Sequence, residues 1–233
     1  MLNAIKRVQG QVNNHRQPIT ATILDKMCSV VNLGYLTAYM DCLLLAVCVT
    51  AFFGFLRCAE FTVTNDKDFD PAYNLCLGDL TFHGDHAELL LKSSKTDPFR
   101  QGIVIQLFRN TTNYKLCPYN ALQTYVTRRN NKFVERQNSL EPLFLTESGI
   151  PLTRSCFILH VKQIISRLGL DTTRYSGHSF RVGAASSACA ARLEDHLIKT
   201  LGRWSSDCYR TYIRTPQQVI QAAQKALLTE LPK

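Results

Sequence analysis

From Thr20 onward the apolar residues recur at helical spacing, at Ile23, Leu24, Met27, Val30 and Val31, and Thr20 stands before them as an N-cap. A second helix, apolar enough to be buried, is expected from about Tyr35 to Phe53, with Gly54 near its end. From Leu75 the signal changes to short β runs. Leu77–Phe82 and Ala87–Leu91 flank His83-Gly84-Asp85-His86, a turn composition, and Gly102–Leu107 follows the polar turn Lys92–Arg100. Three short antiparallel strands are therefore expected. After Pro118 the pattern is helical again, interrupted by the basic stretch Thr127–Asn138, which reads as a loop or a frayed helix end. Arg128, Arg129, Lys132 and Arg136 there suit either phosphate contacts or a solvated face. Thr153 caps a helix with Phe157, Ile158, Val161, Ile164, Ile165 and Leu168 on its apolar side, ending at Gly169. An Ala/Ser/Gly-rich helix follows Gly177, a shorter one lies near Leu193–Leu201, and Thr215-Pro216 opens a last amphipathic helix. The expected fold is mainly α with one small three-stranded antiparallel sheet.

Composition narrows the class. With 45% hydrophobic residues in 233, the chain buries a core and is no disordered polybasic tail. Lys and Arg number 27 against 18 Asp and Glu, a formal charge of +9, and ten of the former against four of the latter fall between Thr153 and Arg214. Such a field attracts a polyanion. The uncharged run Leu43–Leu56 is too short to cross a bilayer, which needs about 20 apolar residues. Nine cysteines, an odd number without CxxC spacing, and an amino terminus lacking the regions of a signal peptide suggest a reducing, intracellular setting.

Neither a P-loop nor GxGxxG, GxSxG or HExxH occurs, so nucleotide, dinucleotide, esterase and zinc-protease chemistry have no support. His83, His86, Asp85 and Cys76 resemble metal ligands, but polar residues in a hairpin turn are more often solvated, and no metal or other cofactor is expected. Cys156 and His160 share a helix face without a third ligand. The informative residues are Arg57, Lys95, His178 with Arg181 three positions on, Trp204 and Tyr212. Singly, each has a bland reading as a helix exit, a turn lysine, a stacked pair or a core aromatic.

Their order changes the picture. GFLRCAEF, LLLKSSKTDPFRQG, GHSFRVGAAS and LGRWSSDCYRTYIRTP resemble, in sequence, the four boxes of the catalytic domain of tyrosine recombinases, which include the phage integrases, and the resemblance spans about Pro18 to Thr215. It implies the DNA breaking-rejoining fold for residues 18–233, with 1–17 a linker or the remnant of a missing N-terminal DNA-binding domain. It implies that Arg57, Arg181 and His178 clamp a phosphate, that Lys95 is the general acid with Lys92 as fallback, that Trp204 packs against the site, and that Tyr212 is the nucleophile. The interval from Trp204 to Tyr212 is one shorter than in many relatives, which keeps Tyr209 as an alternative. The expected partner is double-stranded DNA, bound by a homotetramer, with no membrane association. The GRWSSD and YIR strings look most like crypton-like eukaryotic elements, implying a nuclear protein, or a cytoplasmic one if the host is not eukaryotic. The competing expectation is a recombinase-derived DNA-binding module that no longer cuts.

Overall fold

The computed structural model describes residues 16–92, 102–204, 206, 210 and 221. Its regular elements are α1 (Ala21–Asn32), α2 (Ala38–Phe53), the single turn α3 (Cys58–Phe61), β1 (Leu80–Phe82), β2 (His86–Leu91), β3 (Ile103–Phe108), α4 (Pro118–Lys132), α5 (Arg154–Arg167), α6 (Ser179–Ala190) and α7 (Asp195–Gly202). The chain is mainly α with one small antiparallel sheet, as its pattern predicts. Residues 1–15 of the expected linker and the expected last helix from Thr215, apart from Gln221, lie outside the described residues.

Helix α2 is the centre of the molecule. Buried residues cover its whole circumference, from Tyr39 and Leu43 to Val49 and Phe52. A helix that is apolar all round must be covered all round, and α1, α4 and α6 pack about it. It starts at Ala38 rather than Tyr35, because Asp41 folds its carboxylate back onto the backbone N–H groups of Tyr35 and Leu36 at 3.0 and 2.9 Å. Thr37 then takes the cap, accepting from the Met40 N–H at 3.2 Å. Thr20 and Thr153 cap α1 and α5 as expected.

The basic stretch after Thr127 departs from expectation. Helix α4 runs on through Lys132, and Arg129 is fully buried. Its guanidinium donates to the carbonyls of Arg136 and Pro142 at 2.9 and 2.8 Å, so the following loop folds over the helix end. Arg136 pairs with Glu141, Lys132 with Glu147, and Arg128 donates to the Ala38 carbonyl. Each of these cations thus has a partner within the fold, and only Arg129 is buried.

The sheet has the order β1-β2-β3. Ala87, Leu89 and Leu91 pair with Leu107, Ile105 and Ile103 on the face toward the core, while His86, Glu88 and Leu90 pair with Phe108, Gln106 and Val104 on the outer face. The first strand begins at Leu80, not Leu77, because Leu77–Asp79 wind into a 3₁₀ turn in which Asp79 accepts from the Cys76 N–H at 2.7 Å. Nearly all buried apolar residues belong to one continuous cluster. Among the described residues no helix is long and apolar enough to cross a membrane, and the eight described cysteines are all free thiols.

The chain ahead of α1 crosses α6 at Gly183. The Ile19 N–H donates to the Ser179 carbonyl at 2.9 Å, and a Cβ on Gly183 would lie 1.8 Å from the Ile19 oxygen. Because that obstacle is backbone, Gly183→Ala should cost about 3 kcal/mol or more, read as a lowered urea midpoint. Gly84→Ala, whose Cβ meets nothing within 4 Å, should stay within about 0.5 kcal/mol of wild type.

Candidate active site

The site begins where α2 ends. The N–H groups of Phe55 and Leu56 return to the carbonyls of Phe52 and Ala51, which is a Schellman ending. Its left-handed position is filled by Phe55, at φ 49°, rather than by glycine. A bulky residue there costs about 1 kcal/mol, and what the turn provides is direction. The Gly54 and Phe55 carbonyls face a pair of arginines, and the chain emerges with Arg57 as the N-cap of α3.

Glu60, three residues on, gathers the charges. Its carboxylate accepts from Arg57 Nη1 and the Arg57 backbone N–H, each at 2.8 Å, and from Arg203 Nη2 at 2.9 Å. Glu60 and Arg203 are nearly sealed, with side chains 5% and 8% exposed, whereas Arg57 keeps 23%. Arg203 also donates to the Gly54 carbonyl at 2.8 Å and the Phe55 carbonyl at 3.3 Å. Burial lowers its pKa, with Arg57 adding to the effect, while Glu60 acts against it.

Helix α6 brings the second pair. A Cβ on Gly177 would lie 2.7 Å from both Cβ and Sγ of Cys58. Only glycine lets the start of α6 come so close to α3, and this approach seats His178 beside Arg57. The His178 ring is half-buried, and its pKa is held below the usual imidazole range by burial first, then by the charges of Arg181, Arg16 and Arg57. Arg16 is anchored on Ser176 Oγ at 3.2 Å. Arg181 is almost wholly buried. It donates to the carbonyls of Phe55 and Gly202, and its guanidinium lies 4.4 Å from the centre of the Trp204 ring, which meets Phe55 edge-on.

Four of the sequence-predicted residues, Arg57, His178, Arg181 and Trp204, thus converge on one place. Lys95, Tyr212 and the alternative Tyr209 lie outside the described residues. The fallback Lys92 is committed elsewhere: it pairs with Asp79 at 2.7 Å and donates to the Pro71 carbonyl at 2.8 Å. Burial works to lower its pKa, but contacts with Asp79 and Cys76 outweigh it and raise the value, the wrong direction for a proton donor. Arg203 and Arg16 were not among the expected residues. Arg203 stands in the LGRW string, but no local signal separates it from a solvated arginine. The assembly is cationic, with an imidazole at its edge, and suits a phosphate group.

Removing Arg203 leaves Glu60 buried with one cation instead of two. Arg203→Met should destabilise the protein by about 3 kcal/mol, measured by chemical denaturation. The His178 shift gives a second expectation. The unfolded imidazole takes up a proton near pH 6.5 while the folded one resists, so stability should fall as pH drops below about 6.5. His178→Gln should flatten that decline. His160 is shifted the same way by burial, so the difference between wild type and variant isolates the His178 part.

No protein-family model and no curated protein matches the sequence. Solved structures do match in fold. The XerH site-specific recombinase bound to palindromic difH substrate, a post-cleavage complex, superposes with a TM-score of 0.63 at 18% identity, over 90% of this chain and 52% of that one. XerA recombinase gives 0.65 at 11% identity, over 94% and 67%. The Tn1549 transposon integrase in complex with transposon right end DNA gives 0.61 at 15%, over 96% and 70%. The chain spans about half the length of the XerH protein it resembles. Its fold is that of the tyrosine recombinase catalytic domain.

Proposed function

We propose that this chain is the catalytic domain of a site-specific DNA strand transferase working through a covalent 3′-phosphotyrosine. The observation that carries this reading is the convergence of Arg57, His178 and Arg181, from two separate stretches of sequence, on one cationic pocket. Attack on a DNA phosphodiester puts added negative charge on the non-bridging oxygens, and two guanidinium groups with an imidazole N–H stabilise it there. Tyr212 supplies the nucleophilic oxygen and takes the 3′-phosphate; Lys95 gives a proton to the leaving 5′ oxygen. The new phosphotyrosine bond conserves the energy of the old one, so religation to another 5′-hydroxyl requires neither ATP nor a metal.

Arg181 is almost wholly buried, with its guanidinium against the face of the Trp204 ring. Its contact with phosphate therefore involves displacement of the indole on binding. Assembly as a tetramer belongs to the same proposal. The apolar groove bordered by Phe53, Phe108, Leu193 and Leu201 offers a seat for the Gln217–Leu228 segment of a neighbouring copy. The GRWSSD and YIR strings support a crypton-like eukaryotic element, and with it a nuclear location.

Incubation with suicide-nicked DNA and denaturing electrophoresis tests the reading. Wild type should form a covalent adduct, Tyr212→Phe none, and Arg181→Lys at least about 100-fold less. An adduct that survives Tyr212→Phe and disappears in Tyr209→Phe would move the nucleophile; DNA binding without any adduct would leave a binding module. As the single tryptophan of the chain, Trp204 should report its displacement as a change in intrinsic fluorescence when DNA is added.

A further inference from the structure

The turn between β1 and β2 holds a group of side chains that strand transfer does not use. His83, His86 and Glu88 present ligand atoms all within 4.8 Å of one another. His83 Nε2 lies 3.3 Å from one Glu88 carboxylate oxygen and His86 Nε2 lies 3.6 Å from the other. A tetrahedral centre with bonds of 2.0–2.1 Å, the zinc–nitrogen and zinc–oxygen range, has ligand-to-ligand edges of about 3.3 Å. We propose that this turn binds one divalent transition metal ion of the zinc class through Nε2 of His83, Nε2 of His86 and the Glu88 carboxylate, with the remaining position taken by water.

The expectation of merely solvated turn residues does not account for how firmly these groups are held. The turn is closed by backbone hydrogen bonds from His83 to His86 and from Arg109 to Asp85, both 2.8 Å. His86 and Glu88 are two apart on β2 and share its outer face. The two imidazoles stack, centroids 4.6 Å apart and planes 17° from parallel, with both Nε2 atoms directed at the same carboxylate, and His86 also leans on Phe108. Asp85 lies 2.7 Å from His86 Nδ1. A carboxylate there fixes the Nδ1–H tautomer and leaves the Nε2 lone pair for a metal, the usual outer partner of a histidine ligand. Gln106 Nε2 donates to Glu88 at 3.4 Å from the neighbouring strand. Two imidazole nitrogens and a carboxylate suit zinc, nickel or copper better than magnesium or calcium. Cys76, which the sequence also offered, is not part of the group: its thiol faces the Pro71 and Asn74 carbonyls.

The ion would be structural. Its ligands lie at one end of β2, and the connection that carries Lys95 leaves the other end, about 17 Å away at the rise of an extended strand. Its effect is to lock the hairpin from which that lysine is presented.

The test uses the full chain without a polyhistidine tag, stripped with chelator and titrated calorimetrically with zinc chloride, then with cobalt(II) followed by absorption. One zinc per chain is expected, with a higher melting temperature and a cobalt spectrum lacking thiolate charge transfer. His83→Ala and His86→Ala should each weaken zinc binding at least tenfold. Glu88→Gln, nearly the same in shape and so safe for the fold, should also weaken it, and Asp85→Asn should weaken it less. Unchanged zinc affinity in Glu88→Gln and in the His83→Ala/His86→Ala double variant would overturn the proposal. So would a thiolate cobalt spectrum for the single site.

Discussion

The arrangement of this protein rests on two buried guanidinium groups that hold the backbone of one turn. Arg181 from α6 and Arg203 from the end of α7 both donate to the Phe55 carbonyl, and Arg203 takes the Gly54 carbonyl as well. These bonds tie α6 and α7 to the end of α2. Phe55 holds the left-handed position of the Schellman ending, and the Trp204 ring meets its ring edge-on.

How far this was legible in the sequence depends on the range of the interaction. Caps lie within three residues of what they cap, so Thr20, Thr153 and Gly169 marked helix ends that the structure reproduces. The start of α2 was placed too early because Asp41 satisfies the N–H groups of Tyr35 and Leu36 from inside the helix, a role identical in letters to a solvated aspartate. Arg129 misled for the same reason. A buried arginine held by carbonyls and an exposed one next to Lys132 and Arg136 look alike until the loop that supplies the carbonyls is folded.

The site shows the same contrast. Arg57, His178, Arg181 and Trp204 were found because four segments kept a recognisable order, and their convergence is a matter of fold. Arg203 escaped because its partner Glu60 is 143 residues away, and long-range ion pairs leave no periodic trace. Gly177 lies between the cases. Its presence in the GHSFR string was plain, but the Cys58 side chain that forbids a Cβ there appears only in three dimensions.

Why carbonyls rather than carboxylates hold Arg181 is a question of field. Clustering Arg16, Arg57, Arg181 and Arg203 is self-repulsive, and His178, whose proton is loosened first by burial, is loosened further by Arg181, Arg16 and Arg57. A fold that met every guanidinium with a carboxylate would be calmer and electrically neutral there, and an incoming phosphate would gain little. Glu60 is the only carboxylate that meets these arginines among the described contacts, shared between Arg57 and Arg203. The Phe55 and Gly202 carbonyls anchor Arg181 through dipoles, which accept from its N–H groups without adding an opposite charge. The positive charge of Arg181 is thus held inside the fold, under the face of one indole.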